Sequence, residues 1–339
     1  MRERNASIQD ILGIIIDYRA GEIKKPDVEH VEKWISQFPD DKQLPILKEM
    51  AHVLKKTYLS KNKITGVFRS LSSHKPFTGE TPENHWRTAS ILDIQKGGSS
   101  QHEFSELMSE IIKEKYNIDV KINKKESPAY YYIDDNLCSG SRLLQDLRDW
   151  IRDEAPQECR LNLFFMVLHT YGCWAVEEKL KKLIVESGKK IILKWAYNMK
   201  PEDRKKYIDE SDVLRPTFAP QNQKVTDYIS SMTHKPIYRT SGKTGSLDFY
   251  SSEQGRDLLE QEYLIKGIEI REMCKNFKPQ HRPLGYSSLE TLGFGSMVVT
   301  YRNCPNNAPL ALWAGNPWYP LFPRSTNNDA KIRRAFEAL

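Results

Sequence analysis

"AYYYIDDNLCSGSRLLQDLRDWI", residues 129 to 151, runs from an apolar stretch through two adjacent acids and a turn of small residues into a helical pattern. The fold is decided by how this row reads. Tyr130, Tyr131 and Tyr132 alternate faces in a strand, so they are first of all core and sheet residues. The small residues of "NLCSGS" read as a turn, and "RLLQDLRDWI" as the helix that follows it.

The same order recurs on both sides. "ASILDIQ" (89 to 95), the glycine turn "KGGSSQ" and the amphipathic "HEFSELMSEIIKEKY" (102 to 116) precede it. "RLNLFFMVLH" (160 to 169), the helical "WAVEEKLKKLIVESG" and the strand-like "KKIILKWAY" (189 to 197) follow. Strand, turn and helix in repetition predict an α/β core with a parallel sheet, and nearly continuous apolar strands suit central positions covered on both faces.

The core is expected over residues 81 to 200. Residues 1 to 80 carry apolar spacing by threes and fours, as in Val31, Trp34, Ile35 and Phe38, and predict a helical region. Asp27 and Pro39 bracket one of its helices. Residues 201 to 285 break the rhythm with polar loops and read as an insertion or cap. Residues 286 to 339 read as C-terminal strands and a tail that complete the core.

Composition narrows the class. The chain has 339 residues, of which 39% are hydrophobic and 28% charged, enough for a sizeable core. Its longest apolar runs, such as "LNLFFMVLHTYG" (161 to 172), fall short of the roughly 20 residues of a membrane span. The five cysteines are scattered without a CxxC pair, and the N-terminus lacks the order of a signal peptide, so a reducing cytoplasm is the expected setting. A net charge of +6 permits a phosphate-bearing or nucleic-acid ligand without specifying one. Residues 48 to 75 are rich in Lys and Arg; a solvated helix face is the plain reading, and a surface for nucleic acid or a partner protein within residues 1 to 80 is the other.

Two turns carry the candidate chemistry. In an open parallel sheet, ligands bind beyond the carboxyl ends of the strands, where small residues leave backbone N–H groups accessible and the next helix adds positive field. Cys138, Ser139, Gly140, Ser141 and Arg142 form such a cradle, with two hydroxyls and a guanidinium. Asp134 and Asp135 stand just before it, placed to accept from vicinal hydroxyls or to hold the waters of a magnesium ion.

The row Asp134 to Ser141 resembles the signature of the type I phosphoribosyltransferases: an apolar strand, two acids, three variable positions, then a hydroxyl residue, Gly and another hydroxyl residue. The resemblance implies that Asp134 and Asp135 face the ribose hydroxyls of phosphoribosyl pyrophosphate, and that Cys138 to Arg142 hold its 5′-phosphate. "ILDIQKGGSSQ" is similar to the pyrophosphate loop of those enzymes, which implies that Lys96, Gly97, Gly98 and Ser99 meet the pyrophosphate. Ser139 stands where Thr is usual. About a dozen residues, "NIDVKINKKESPA", occupy the place of the long mobile hood of the salvage enzymes.

Over nearly the whole chain, "IQKGGSSQ", "YYYIDDNLCSGS" and the ending "YRNCPNNAPLALWAGNPWYPLFPR" together look like the phosphoribosyltransferase-like effectors of bacterial conflict systems, PRTase-CE. That resemblance implies an antiphage or toxin-like setting. It leaves two functional expectations: a phosphoribosyltransferase that uses phosphoribosyl pyrophosphate with Mg2+, and a non-catalytic module that senses a nucleotide and engages a partner protein or nucleic acid. Two other features read as bland. "SGKTGS" (241 to 246) lacks the first glycine of a triphosphate loop, since Ile237 sits there, and His102 and His169 read as structural hydrogen bonders.

Overall fold

In a computed structural model, the described residues are 2–96, 100–240, 242–274 and 277–324. They divide into two compact units, one of residues 62–201 and one that joins residues 1–61 to the chain from 202 onward.

The unit of residues 62–201 contains a five-stranded sheet. Its strands are β1 (Ser90–Leu92), β2 (Lys121–Ile122), β3 (Ala129–Leu137), β4 (Glu158–Leu168) and β5 (Lys190–Met199). Every neighbouring pair is parallel and the order is β2-β1-β3-β4-β5. Helices α1 (Ser100–Tyr116), α2 (Ser141–Asp153) and α3 (Thr170–Glu186) make the crossovers. This is the α/β architecture expected, and the quoted row supplies its third strand and second crossover helix.

The tyrosines explain why β3 is central. Tyr130 meets Trp150 of α2 edge-on at 5.0 Å, and Tyr132 lies 6.0 Å from Phe165, within the core that includes Leu147 and Leu180. Tyr131 packs against Trp86 at 4.7 Å. Phe164 of β4 meets Phe68, which meets Phe104 of α1. A strand with aromatic side chains buried to either side cannot lie at a solvent-facing edge.

Strand β2 lies within the segment read from sequence as a connection. Lys121 and Ile122 pair with Ser90 and Ile91, yet both side chains are exposed, so no apolar pattern marks them. Beyond it, the Asn123 amide group exchanges hydrogen bonds of 2.8 Å with the backbone of Asp93, and Lys124 N–H donates to Ser90 Oγ at 3.0 Å. Tyr130 OH reaches the carbonyls of Lys124 and Lys125, each at 2.9 Å. The short segment is fastened to the sheet edge.

The other unit is helical at its start, with Arg2–Ile15, Val28–Ile35 and Asp40–Thr57. Asp27 caps the second of these through His30 N–H at 2.9 Å. Glu253–Met273 is its longest helix among the described residues. Trp34 and Trp318 both donate their indole N–H to the carbonyl of Ala311, at 2.9 and 3.0 Å, and Tyr18 OH donates to Pro323 O at 3.1 Å, so the terminal motif wraps the first helices. Val299–Thr300 pairs in parallel with Tyr58–Leu59 in a two-stranded sheet. Val299–Thr300 thus pairs with the short strand that follows an N-terminal helix, and the first division of the chain falls after Lys61. Residues 202–324 bury a charged network: Arg256 and Arg239 both bond Glu260, and Arg256 holds the carbonyls of Ser211 and Val213.

Candidate functional site

The order β2-β1-β3-β4-β5 reverses between β1 and β3. The helices that follow these two strands pack on opposite faces, so their loops part and leave a crevice at the carboxyl ends of the strands. The turn Cys138 to Ser141 lies there, as do Lys96 and Ser100 on either side of the other turn.

The second turn is shaped by close packing. Gly140 takes φ 72°, the left-handed region that favours glycine, and starts α2. A Cβ on it would lie 1.9 Å from Val176 Cγ2 of α3, and a Cβ on Gly172 would lie 2.1 Å from the carbonyl oxygen of Cys138. Only hydrogens fit at both contacts. Ser139 and Ser141 are exposed, and their hydroxyls hydrogen bond at 3.3 Å. Arg142 is exposed in the first turn of α2, and its positive field opposes the burial that raises Asp134 and Asp146.

The first turn is held by polar contacts from its neighbours. Gln101, fully buried at the start of α1, folds its amide oxygen back onto the N–H groups of Ile94 and Gln95, each at 2.7 Å. Asp134 then joins the two turns. Its Oδ1 accepts from Ser100 Oγ at 2.7 Å and from the N–H of Asp135 at 2.8 Å, while its Oδ2 accepts from Gln95 Nε2 at 3.2 Å. From the other side, Asp146 of α2 accepts from Tyr132 OH at 3.1 Å and from the backbone of Lys96, and Asp149 pairs with the Lys96 ammonium. Gly97, Gly98 and Ser99 lie outside the described residues.

The electrostatics follow from this burial. Asp134 is 5% exposed, and loss of water, then the neighbouring Asp135, push its carboxyl up to about 7. Burial also raises Asp146. Lys96 and Asp149 are each held further in their charged forms by one another.

The structure therefore brings Asp134, Asp135, Lys96 and the cradle Cys138, Ser139, Gly140, Ser141 and Arg142 to one crevice. It separates the two acids: Asp134 is turned inward and its oxygens are occupied, whereas Asp135 is half-buried. No group of three or more His, Cys, Asp and Glu side chains suited to a metal occurs among the described residues. The half-buried Asp135 carboxylate beside the small-residue turn has the chemistry that would hold a magnesium ion, with ligand oxygens and water completing its shell.

Sequence reasoning passed over Gln95, Ser100, Asp146, Asp149 and Gly172. Asp146 left a signal: in Leu143, Asp146, Leu147, Trp150 it occupies the apolar face of α2, where an acid must be partnered. His102 is exposed and paired with Asp93 at 2.6 Å, and His169 is buried at the end of β4. In the described part of "SGKTGS" and the residue after it, Gly242 N–H donates to Glu253, and Ser246 Oγ and Leu247 N–H donate to Asp212 at 2.9 and 2.7 Å. Acids face this turn where a nucleotide loop would face phosphate.

A doubly wound parallel sheet with a small-residue turn at its switch point defines a class of fold, the open α/β sheets. Within that class, the PRTase-CE family model matches residues 31–324, and the chain belongs to this family. No curated protein matches the chain. No described helix is long and apolar enough to cross a membrane.

Proposed function

We propose that this phosphoribosyltransferase-like protein binds phosphoribosyl pyrophosphate or a related nucleotide with Mg2+, as an effector of bacterial antiphage defence. The observation that carries the reading is the Asp134 clamp, which fastens the start of α1 to the end of β3 and so makes one crevice of two turns. In it, the 5′-phosphate sits in the Cys138–Arg142 cradle, where hydroxyls, backbone N–H groups and the start of α2 meet it. Asp135 accepts from the ribose hydroxyls and would share in holding the Mg2+, while Asp134 positions Ser100 and Gln95. The ion, when bound, would neutralise charge on the pyrophosphate oxygens. Lys96 turns from Asp149 toward the pyrophosphate, where a cation favours its departure if transfer occurs.

The fastened segment at Asn123 and Lys124 favours a second reading, in which the same crevice senses its ligand without transferring the ribosyl group, and a partner protein or nucleic acid reads the result. Calorimetry with phosphoribosyl pyrophosphate and Mg2+ tests the shared part: Asp134→Asn/Asp135→Asn is expected to abolish binding, and tight Mg2+-dependent binding by that variant sinks the reading. Pyrophosphate release on addition of nucleobases or nucleic acid separates the enzyme from the sensor.

A further inference from the structure

Strand β5 ends the sheet on one side. Its one neighbour is β4, and among the described residues no other strand pairs with it. Lys190 N–H donates to the carbonyl of Gln157 at 2.7 Å, and the direction alternates along a strand. The N–H and carbonyl groups of Ile191, Leu193, Trp195, Tyr197 and Met199 therefore point away from β4. Such an edge is a template for a further strand unless a proline, a bulge or a free charge blunts it. Residues 190–199 contain no proline, and β5 keeps one register with β4 from the Glu158–Lys190 pair to the Val167–Met199 pair. The Lys194 ammonium is spent on the carbonyl of Pro76 at 3.0 Å.

The same edge gathers apolar surface. Among the described residues, the large apolar side chains most open to water are Val185 at 78%, Ile192 at 64% and Trp174 at 63%. Ile192 is on β5 itself. Trp174 and Val185 are about three turns apart on α3 and so share one side of that helix. It is the side opposite Gly172 and Val176, which pack against Cys138 and Gly140 at the start of α2. Since α2 joins β3 to β4 and α3 joins β4 to β5, the side of α3 turned from α2 looks the same way as the free edge of β5.

We propose that a second copy of this chain pairs with β5 in antiparallel fashion across a two-fold axis, joining the two five-stranded sheets into one. The strand is complementary to itself. With the axis at Ala196, Trp195 lies opposite Tyr197, Leu193 opposite Met199 and Lys194 opposite Asn198, so apolar side chains meet apolar ones and no like charges face each other. An axis at Lys194 would set lysine against lysine. The two α3 helices flank the junction and bring Trp174 and Val185 to it, and the two crevices open at opposite ends of the joint sheet. This pairing does not rest on the function proposed above.

Sedimentation equilibrium of the full chain tests it. The unaltered chain is expected to form a dimer that dissociates on dilution. Ile192→Lys/Tyr197→Lys puts new charge opposite Lys200 and Trp195 of the second copy and is expected to weaken the dimer about a hundredfold. Val185→Glu, at an exposed helix position, keeps the test open if the strand variant does not fold, with an expected loss of about tenfold. Phe218→Lys, which alters an exposed apolar residue of the other unit, leaves the dimer unchanged. A chain that stays monomeric at the highest concentration sedimented leaves the edge to a strand of another protein and overturns the proposal. So does a dimer that both edge variants leave intact, or one that Phe218→Lys dissociates.

Discussion

The two turns at the switch point have the same position in successive βα units, and they are held by different forces. The turn after β3 is fixed by shape, since Gly140 and Gly172 leave no room for a single added carbon. Gln95, Lys96 and Ser100, which flank the turn after β1, are fixed by charge and hydrogen bonds, through Asp134, Asp146 and Asp149. A steric hold is indifferent to pH and salt and intolerant of bulk. A polar hold is the reverse, so substitution and solution conditions should separate the two.

The largest effect is expected on the steric side. Gly172→Val places carbon against the Cys138 carbonyl and should cost about 3 kcal/mol or more while abolishing ligand binding, because the backbone of the cradle must move. Urea unfolding and calorimetry read both; an undiminished midpoint would show that the contact yields cheaply.

An intermediate effect belongs to Asp134. An acid raised to about 7 keeps its proton in the folded chain at a pH where the unfolded chain has lost it. Its contribution is therefore full below the ordinary carboxylate range and is lost as pH rises from there through about 7. Asp134→Asn removes this dependence, so its urea midpoint should vary less than that of the unaltered chain between about pH 4.5 and about pH 7.5. Parallel curves for the two proteins would contradict a buried, raised Asp134. Gly172→Val should keep the pH dependence, which sharpens the contrast.

The smallest effect concerns the exposed Lys96–Asp149 pair. Asp149→Asn frees Lys96 from a competing carboxylate and should tighten pyrophosphate binding a few-fold at low salt, with the gain fading as salt screens the pair. Weaker binding in this variant would mean that Asp149 aims Lys96 and does not compete for it.

The residues explain what the sequence disclosed. Strands β3 and β4 were legible because strands covered on both faces must be apolar almost throughout, and the cradle was legible because its small residues sit between a strand and a helix. Strand β2 was not, since Lys121 and Ile122 are exposed at an edge and are held by backbone pairing that no side-chain pattern records. The different tasks of Asp134 and Asp135 were equally hidden: two identical letters carry no sign of which is turned inward. Nor does spacing along the chain reveal that Val299 and Thr300 pair with Tyr58 and Leu59, some 240 residues away.

That long-range pairing, with the carbonyl of Ala311 shared by Trp34 and Trp318, has a consequence during synthesis. The sheet unit is contiguous and has all its strands once residue 201 has emerged. Residues 1–61 must wait for partners as distant as Ala311 and Pro323, so the faces they turn to those partners stay uncovered while some 260 further residues are made. At about 5–20 residues per second this is roughly 13–50 s of exposure. Residues 1–61 leave the ribosome before the sheet unit and complete their packing after it.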